Sequence, residues 1–197
     1  YMTSDGEDNK NLNKAVTFTQ YLAINGIGRN DIIINIGGGT LCDLGAFVAS
    51  IYMRGISFIN IPTTLLCAVD ACMGGKTAID LDSGKNLAGA FHQPKLVICD
   101  TDCFETLPEE EFSNGMGEVI KYGMINKPEL LQILKGTYDD ADVIEICVCA
   151  KRDIVNEDEK DLGVRQFLNF GHTLAHGIER ASDYKIPHGR AVAVGMV

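Results

Sequence analysis

No apolar stretch in the 197 residues reaches the roughly 20 that a membrane-spanning helix needs, which excludes such a helix. Basic residues are in deficit: 17 Lys and Arg stand against 27 Asp and Glu, a net charge of −10. A surface so acidic argues against nucleic acid and anionic membrane as partners. It leaves open a small anionic ligand, because a pocket can be basic where the surface is not. The seven cysteines, an odd number, include no CxxC pair, and most sit in apolar runs such as LVICD and IEICVCA. They read as small buried hydrophobes in a reducing compartment, and not as a zinc site or a disulfide framework. The first ten residues are polar and acidic, with Asp5, Glu7 and Asp8, and lack the apolar core of a signal peptide, so a cytoplasmic location is expected. There is no tryptophan, no internal repeat and no low-complexity segment.

Glycine is plentiful, 21 residues, much of it clustered between apolar runs. That pattern suits an α/β protein with tight strand-to-helix turns. Apolar residues at Leu12, Ala15, Val16 and Leu22 predict a helix over 11–25, with Gly26 as its C-terminal cap. The β-branched run 31–36 predicts a buried strand that enters Gly37-Gly38-Gly39, and a helix follows from Leu41 to about Met53. Further strands are expected at 56–61 and 95–99, and their alternation with helices implies a parallel sheet. After residue 107 only helical patterns remain: 108–125, 128–134, 141–156 and 172–181. Pro108 followed by Glu109, Glu110 and Glu111 makes a good helix start. The expected division is an α/β domain over 1–107 and an all-helical domain over 108–197. The chain opens inside a polar segment and stops at Met196-Val197 inside an apolar pattern with no C-cap, so a fragment lacking both ends of its domains is expected.

Four motifs carry chemistry. Gly37 to Asp43, GGGTLCD, follows a strand and opens a helix, which brings backbone N–H groups and a positive helix end to a phosphate. It is not GxGxxG, and a tight βα turn explains it equally well. Gly74-Gly75-Lys76-Thr77, with Gly84-Lys85-Asn86 beyond, resembles half of a P-loop, but the first glycine that motif requires is absent. An anion cradle and a flexible loop both remain open there. Glu118 and Lys121 share a helix face and could be an ordinary ion pair, yet Met116, Val119 and Ile120 make that helix apolar and favour a buried Glu118. Finally, His172, His176 and His188 fall within 17 residues. With Glu118 they offer a glutamate-plus-two-histidine metal set, His172 and His176 being interchangeable by spacing.

Taken in order, GGGTLCDLGAFVASIYMRG, IPTTLLCAVDACMGGKTAID, GKNLAGAFHQP, FETLP, GMGEVIKYG, NFGHTLAHGIE and HGRAVAVGM resemble the 3-dehydroquinate synthase family over nearly the whole chain. The resemblance implies a Rossmann-like NAD-binding domain followed by a helical metal-binding domain. Gly38, Gly39, Asp43, Thr63, Thr64, Asp70, Lys85, Thr106 and Leu107 are then expected around NAD, with Glu7 and Lys10 of the Asp5-to-Lys10 loop at its ribose and phosphate. Glu118, His172 and His188 are the implied ligands of Zn²⁺ or Co²⁺. Lys76, Asn86 and His176 would meet the substrate's phosphate, and Lys121, Lys151, Arg165 and Asn169 its carboxylate and hydroxyls. Arg54 would reach the neighbouring subunit's substrate, which implies a homodimer.

The implied substrate is 3-deoxy-D-arabino-heptulosonate 7-phosphate, and the implied reaction is transient oxidation, phosphate elimination, reduction and aldol closure to 3-dehydroquinate. Met73, Gly117 and Arg190 depart from the commonest family residues at positions flanking the site. Rival readings are a sister cyclase acting on an amino analogue, a metal-dependent NAD polyol dehydrogenase, and a degenerate fragment serving as an interaction module.

Overall fold

The computed structural model describes residues 1–2 and 6–197; Asp5 of the expected cofactor loop lies outside the described residues. Two compact units result: Tyr1–Thr63 with Ala71–Asp100, and Thr64–Asp70 with Thr101–Val197.

The first unit contains α1 (Leu12–Ile24), β1 (Ile32–Gly37), α2 (Gly39–Ile51), β2 (Ser57–Pro62), β3 (Lys76–Leu81), β4 (Gly84–Phe91) and β5 (Leu96–Val97). Asn11 caps α1 by accepting the Lys14 N–H at 3.0 Å. At the other end Gly26 is left-handed, and the Gly26→Ala23 and Ile27→Leu22 backbone bonds, both 3.1 Å, form a Schellman closure. Strands β1, β2 and β5 form a parallel sheet in the order β1-β2-β5, with Ile32 opposite Ser57 and Gly37 opposite Pro62.

The sheet's inner face carries Ile33 and Phe58 against Leu44, Phe47, Val48 and Ile79. The outer face carries Ile32, Ile34 and Ile36, each exposed by half or more among the described residues. The expected buried strand is therefore buried on one face only. A continuous apolar run suits a strand covered on both sides, but alternation decides which residues meet the core that is present. On that inner face Asn35 donates to the Asn60 carboxamide oxygen at 2.9 Å, and Asn60 donates to the Cys72 carbonyl at 2.8 Å. Gly45 on α2 makes room for this pair, since a Cβ there would lie 1.9 Å from the Asn35 oxygen.

The segment for which a flexible loop was one expectation is an antiparallel hairpin, β3 paired with β4. Thr77 and Ile79 face inward at period two, and Asp82-Ser83 forms the connection ahead of Gly84. Gly89 lets the strands close, because a Cβ there would sit 2.0 Å from the Thr77 carbonyl.

The second unit is helical: α3 (Glu109–Ile125), α4 (Pro128–Ile133), α5 (Asp140–Glu157), α6 (His172–Ala181) and α7 (His188–Gly195). The acids Glu109, Glu110 and Glu111 occupy the first turn of α3, and Pro128 opens α4. Helix α7 escaped the sequence reading, since only eight residues carry it. No helix among the described residues is long and apolar enough to cross a membrane.

Candidate metal centre and ion clusters

Three helices each present one side chain to a common point. Glu118 comes from α3, while His172 and His188 are the first residues of α6 and α7. Their convergence rests on glycine. A Cβ on Gly189 would lie 1.8 Å from the Asn114 carbonyl, and one on Gly117 would lie 2.1 Å from the Gly189 carbonyl, so α3 and α7 touch backbone to backbone. Gly117, one of the departures named in the sequence, belongs to this crossing. Gly195 sits in the same way against the Gly171 carbonyl, 2.1 Å from a would-be Cβ, and joins α6 to α7. The Gly189 N–H also donates to the Asn114 side chain at 2.6 Å.

His172 Nε2 and His188 Nε2 lie 3.6 and 3.4 Å from Glu118 Oε1. Candidate ligand atoms of these three residues all lie within 4.8 Å of one another, and His176 is outside that set. His176 projects from the next turn of α6, exposed, its ring centroid 5.7 Å from that of His172.

Each histidine's other nitrogen is engaged. His172 Nδ1 is 3.2 Å from the Phe170 carbonyl, and His188 Nδ1 is 3.2 Å from Glu179 Oε1. Donation from Nδ1–H turns each Nε2 lone pair toward Glu118, as metal-binding histidines require. Glu179 is buried and was missed by sequence reasoning, although an acid two turns after His172 on the same helix was the available signal.

Burial works to lower both histidines. It prevails at His172, whose affinity for a proton drops, but contacts with Glu118 and Glu179 overcome it at His188, which is pushed up to about 9. Glu118 is 1% exposed, and neither carboxylate oxygen has a hydrogen-bond partner of sound geometry, though the Lys121 ammonium pairs with Oε2. A buried carboxylate so provided for is costly unless a cation completes it. One oxygen and two imidazole donors fit a divalent ion of zinc or cobalt type.

A second cluster adjoins this one through Lys121. Asp70 receives Lys121 at 3.2 Å, the Tyr122 hydroxyl at 2.9 Å and the Lys151 ammonium, which also donates to the Asp70 carbonyl at 2.7 Å. Desolvation would raise the Asp70 carboxyl, but Lys121 and Lys151 hold it well below the usual range. Asp70 lies in a π-helical turn, Cys67–Ala71, a distortion that recurs at functional sites. The sequence placed Asp70 with the cofactor and the two lysines with the substrate; here all three share one cluster. Arg165 is buried near the same unit's Asp158–Leu162 loop, with Nη1 donating to the Glu159 carbonyl at 2.6 Å, and Asn169 is exposed at the end of the same 3₁₀ segment. Thr64, Thr106 and Leu107 also belong to this unit.

The α/β unit brings together most of the residues expected around a cofactor. Gly38 and Gly39 open α2 with no side-chain cap, and Asp43 lies one turn in. Lys10 donates to Asp43 at 2.7 Å. Glu7 accepts from the Thr40 hydroxyl at 2.7 Å and sits 3.5 Å from Lys85 and 3.7 Å from Lys10. Burial would raise Glu7, but Lys10, Thr40 and Lys85 outweigh it and lower the group; Lys10 is raised in turn by Asp43 and Glu7 against its own burial. Thr40 was not singled out in the sequence, although it lies inside the glycine motif. Thr63 ties the end of β2 to the end of β1 through its N–H to the Gly37 carbonyl, 2.9 Å.

Lys76 begins β3, exposed, and Asn86 is exposed on β4 with a left-handed backbone, its N–H held by Asp80 at 2.7 Å. Arg54 is exposed after α2, also left-handed, beside a left-handed Met53.

The family model described as 3-dehydroquinate synthase N-terminal matches residues 1–114, and the C-terminal model of the same enzyme matches 115–197. The chain belongs to the 3-dehydroquinate synthase family. A 3-dehydroquinate synthase of Clostridium perfringens is 52% identical over 176 residues, 85% of this chain and 50% of that protein. Among solved structures, 2-deoxy-scyllo-inosose synthase complexed with carbaglucose-6-phosphate, NAD⁺ and Co²⁺ superposes with TM-score 0.88 at 31% identity, over 98% of this chain and 56% of that one. The 2-epi-5-epi-valiolone synthase of Streptomyces hygroscopicus, with NAD⁺ and Zn²⁺ bound, gives TM-score 0.92 at 25% identity, over 98% and 57%. The fold, a parallel sheet with helices, is thus that of sugar phosphate cyclases. The chain spans about half the length of the curated relatives it matches.

Proposed function

We propose that the full-length protein is a 3-dehydroquinate synthase, converting 3-deoxy-D-arabino-heptulosonate 7-phosphate to 3-dehydroquinate and phosphate. The observation that carries this reading is the meeting of Glu118, His172 and His188 beside the Lys121–Asp70–Lys151 cluster, in a chain 52% identical to such an enzyme. The α/β unit is read as the Rossmann-like, NAD-holding part, with Gly38, Gly39, Asp43, Lys10, Glu7 and Lys85 around the dinucleotide and Thr63, Thr64, Asp70, Thr106 and Leu107 completing its site. The helical unit is read as the metal-holding part. NAD would supply a reversible hydride acceptor for one substrate hydroxyl, and the divalent ion a Lewis acid for the same oxygen.

The chain's own residues do the rest. Lys121, Lys151, Arg165 and Asn169 orient the carboxylate and hydroxyls, each cationic contact being charge-assisted. Lys76, Asn86 and His176 hold the phosphate and offset the charge that develops as its carbon–oxygen bond breaks. A proton is lost from the carbon beside the transient ketone, and the departing phosphate is the base that takes it. Arg54 serves the partner's site in a homodimer, and the enzyme works in the cytoplasm.

The test is phosphate release from the heptulosonate phosphate by the full-length protein with NAD⁺ and Zn²⁺. Many phosphates per NAD⁺ are expected. A one-to-one ratio with NADH accumulating would instead mark a polyol dehydrogenase, and turnover confined to the amino analogue would mark a sister cyclase.

A further inference from the structure

Two cysteines outside both ion clusters sit together in the α/β unit. Asn60 of β2 anchors each of them. Its side chain donates to the Cys72 carbonyl at 2.8 Å, and its own carbonyl accepts the Ile98 N–H, next to Cys99, at 2.9 Å. Asn60 is itself held by Asn35 at 2.9 Å, so the two cysteine segments are registered against one buried, hydrogen-bonded residue. The two thiols are in hydrogen-bond contact. Cys72 is buried, whereas Cys99, just beyond the short β5, is partly exposed. The residue before Cys72 is Ala71, whose Cβ would stand 3.4 Å from a Cβ on Gly39 and so backs the opening turn of α2.

We propose that Cys72 and Cys99 are a reversible disulfide site, and that closing the disulfide weakens ligand binding at the α2 turn. The second clause rests on the cofactor reading given above.

A disulfide needs its sulfurs at about 2.05 Å and its Cα atoms within about 7 Å, so adjoining thiols on one anchoring residue need only a small closing movement. That movement draws on the Cys72 segment, and through Ala71 on Gly39. With hydrogen peroxide as oxidant, the Cys99 thiolate attacks a peroxide oxygen, the O–O bond breaks, and the first water leaves after protonation. The Cys72 thiolate then attacks the Cys99 sulfur, the S–S bond forms, the S–O bond breaks, and a second water leaves. Two thiols have lost two electrons to one peroxide, and a dithiol reverses the change. The Cys72 contact and burial both raise the Cys99 thiol, which makes oxidation slow at neutral pH.

The test treats the full-length protein with hydrogen peroxide, alkylates free thiols and maps disulfides by tandem mass spectrometry, with NAD⁺ affinity measured before and after. A Cys72–Cys99 link removed by dithiothreitol is expected, with affinity falling about tenfold, the value of one lost phosphate hydrogen bond. The Cys99→Ser protein should bind NAD⁺ normally and keep that affinity in peroxide. Oxidation of Cys103 or Cys149 without a 72–99 link overturns the proposal. A link that leaves affinity unchanged, or an equal loss in Cys99→Ser, overturns the coupling to the turn. If the reduced protein binds no NAD⁺, the cofactor reading is what failed, and the thiol map alone decides the disulfide.

Discussion

Replacing Gly189 by alanine tests how three helices assemble the candidate metal centre. The new Cβ would lie 1.8 Å from the Asn114 carbonyl oxygen and 2.8 Å from its carbon. A relaxed carbon–oxygen contact is about 3.3 Å, so α7 must retreat from α3 by roughly 1.5 Å, because the obstacle is backbone and cannot rotate away. Overpacking of this kind costs about 1–3 kcal/mol of stability. The local effect is sharper. His188 adjoins Gly189, and its Nε2 now stands 3.4 Å from Glu118 Oε1. Metal–ligand distances tolerate only about 0.2 Å, so a helix shift several times larger removes His188 from the set. Zinc affinity, measured by chelator competition on the full-length protein, is expected to fall by at least the 10–100-fold typical of losing a supporting contact. Thermal unfolding without metal reads the stability loss separately. Unchanged zinc affinity in a folded Gly189→Ala protein would refute the claim that the glycine crossing sets the site.

Other substitutions separate residues that share a neighbourhood. His172→Ala and His188→Ala should each lose bound metal by elemental analysis, whereas His176→Ala should keep it while turnover falls about 10²–10⁴-fold, the usual cost of one positioned proton-transfer group. Metal lost from His176→Ala but not from His172→Ala would show the two roles to be exchanged. Asp70→Asn leaves Lys121 and Lys151 without their shared anion and should destabilise the protein by about 3–5 kcal/mol in chemical denaturation at neutral pH. The Asp70 carboxyl is depressed in the fold, so its contribution is complete above the unfolded value of about 4 and disappears as pH falls through the lower folded value. The difference between parent and variant should therefore shrink in acid, and a difference independent of pH would exclude the charge as its origin.

What the sequence by itself determined is what depends on residue type and short-range period. The helix over 172–181, the Gly26 closure and the acidic start of α3 are local matters of apolar spacing, capping and dipole, and they stand within a residue or two of expectation. Residue type and spacing narrowed the candidate ligands to Glu118 and the histidines at 172, 176 and 188, and the family resemblance chose the trio among them. Tertiary structure decided what depends on approach between distant segments. His172 and His176 are equivalent by spacing, and the packing of α6 beside α3 and α7 is what turns His172 toward Glu118. The backing of His188 by Glu179 needed the fold of α6 beside α7. The gathering of Lys121, Lys151 and Tyr122 on Asp70 joins residues as many as 81 apart in the chain. The hairpin at 76–91 was hidden because its glycines signal turns, while the contact that requires one of them, Gly89 against the Thr77 carbonyl, lies across the strand pair. Sequence period reports which face a side chain takes, but which faces meet is settled by packing over distances that no local pattern encodes.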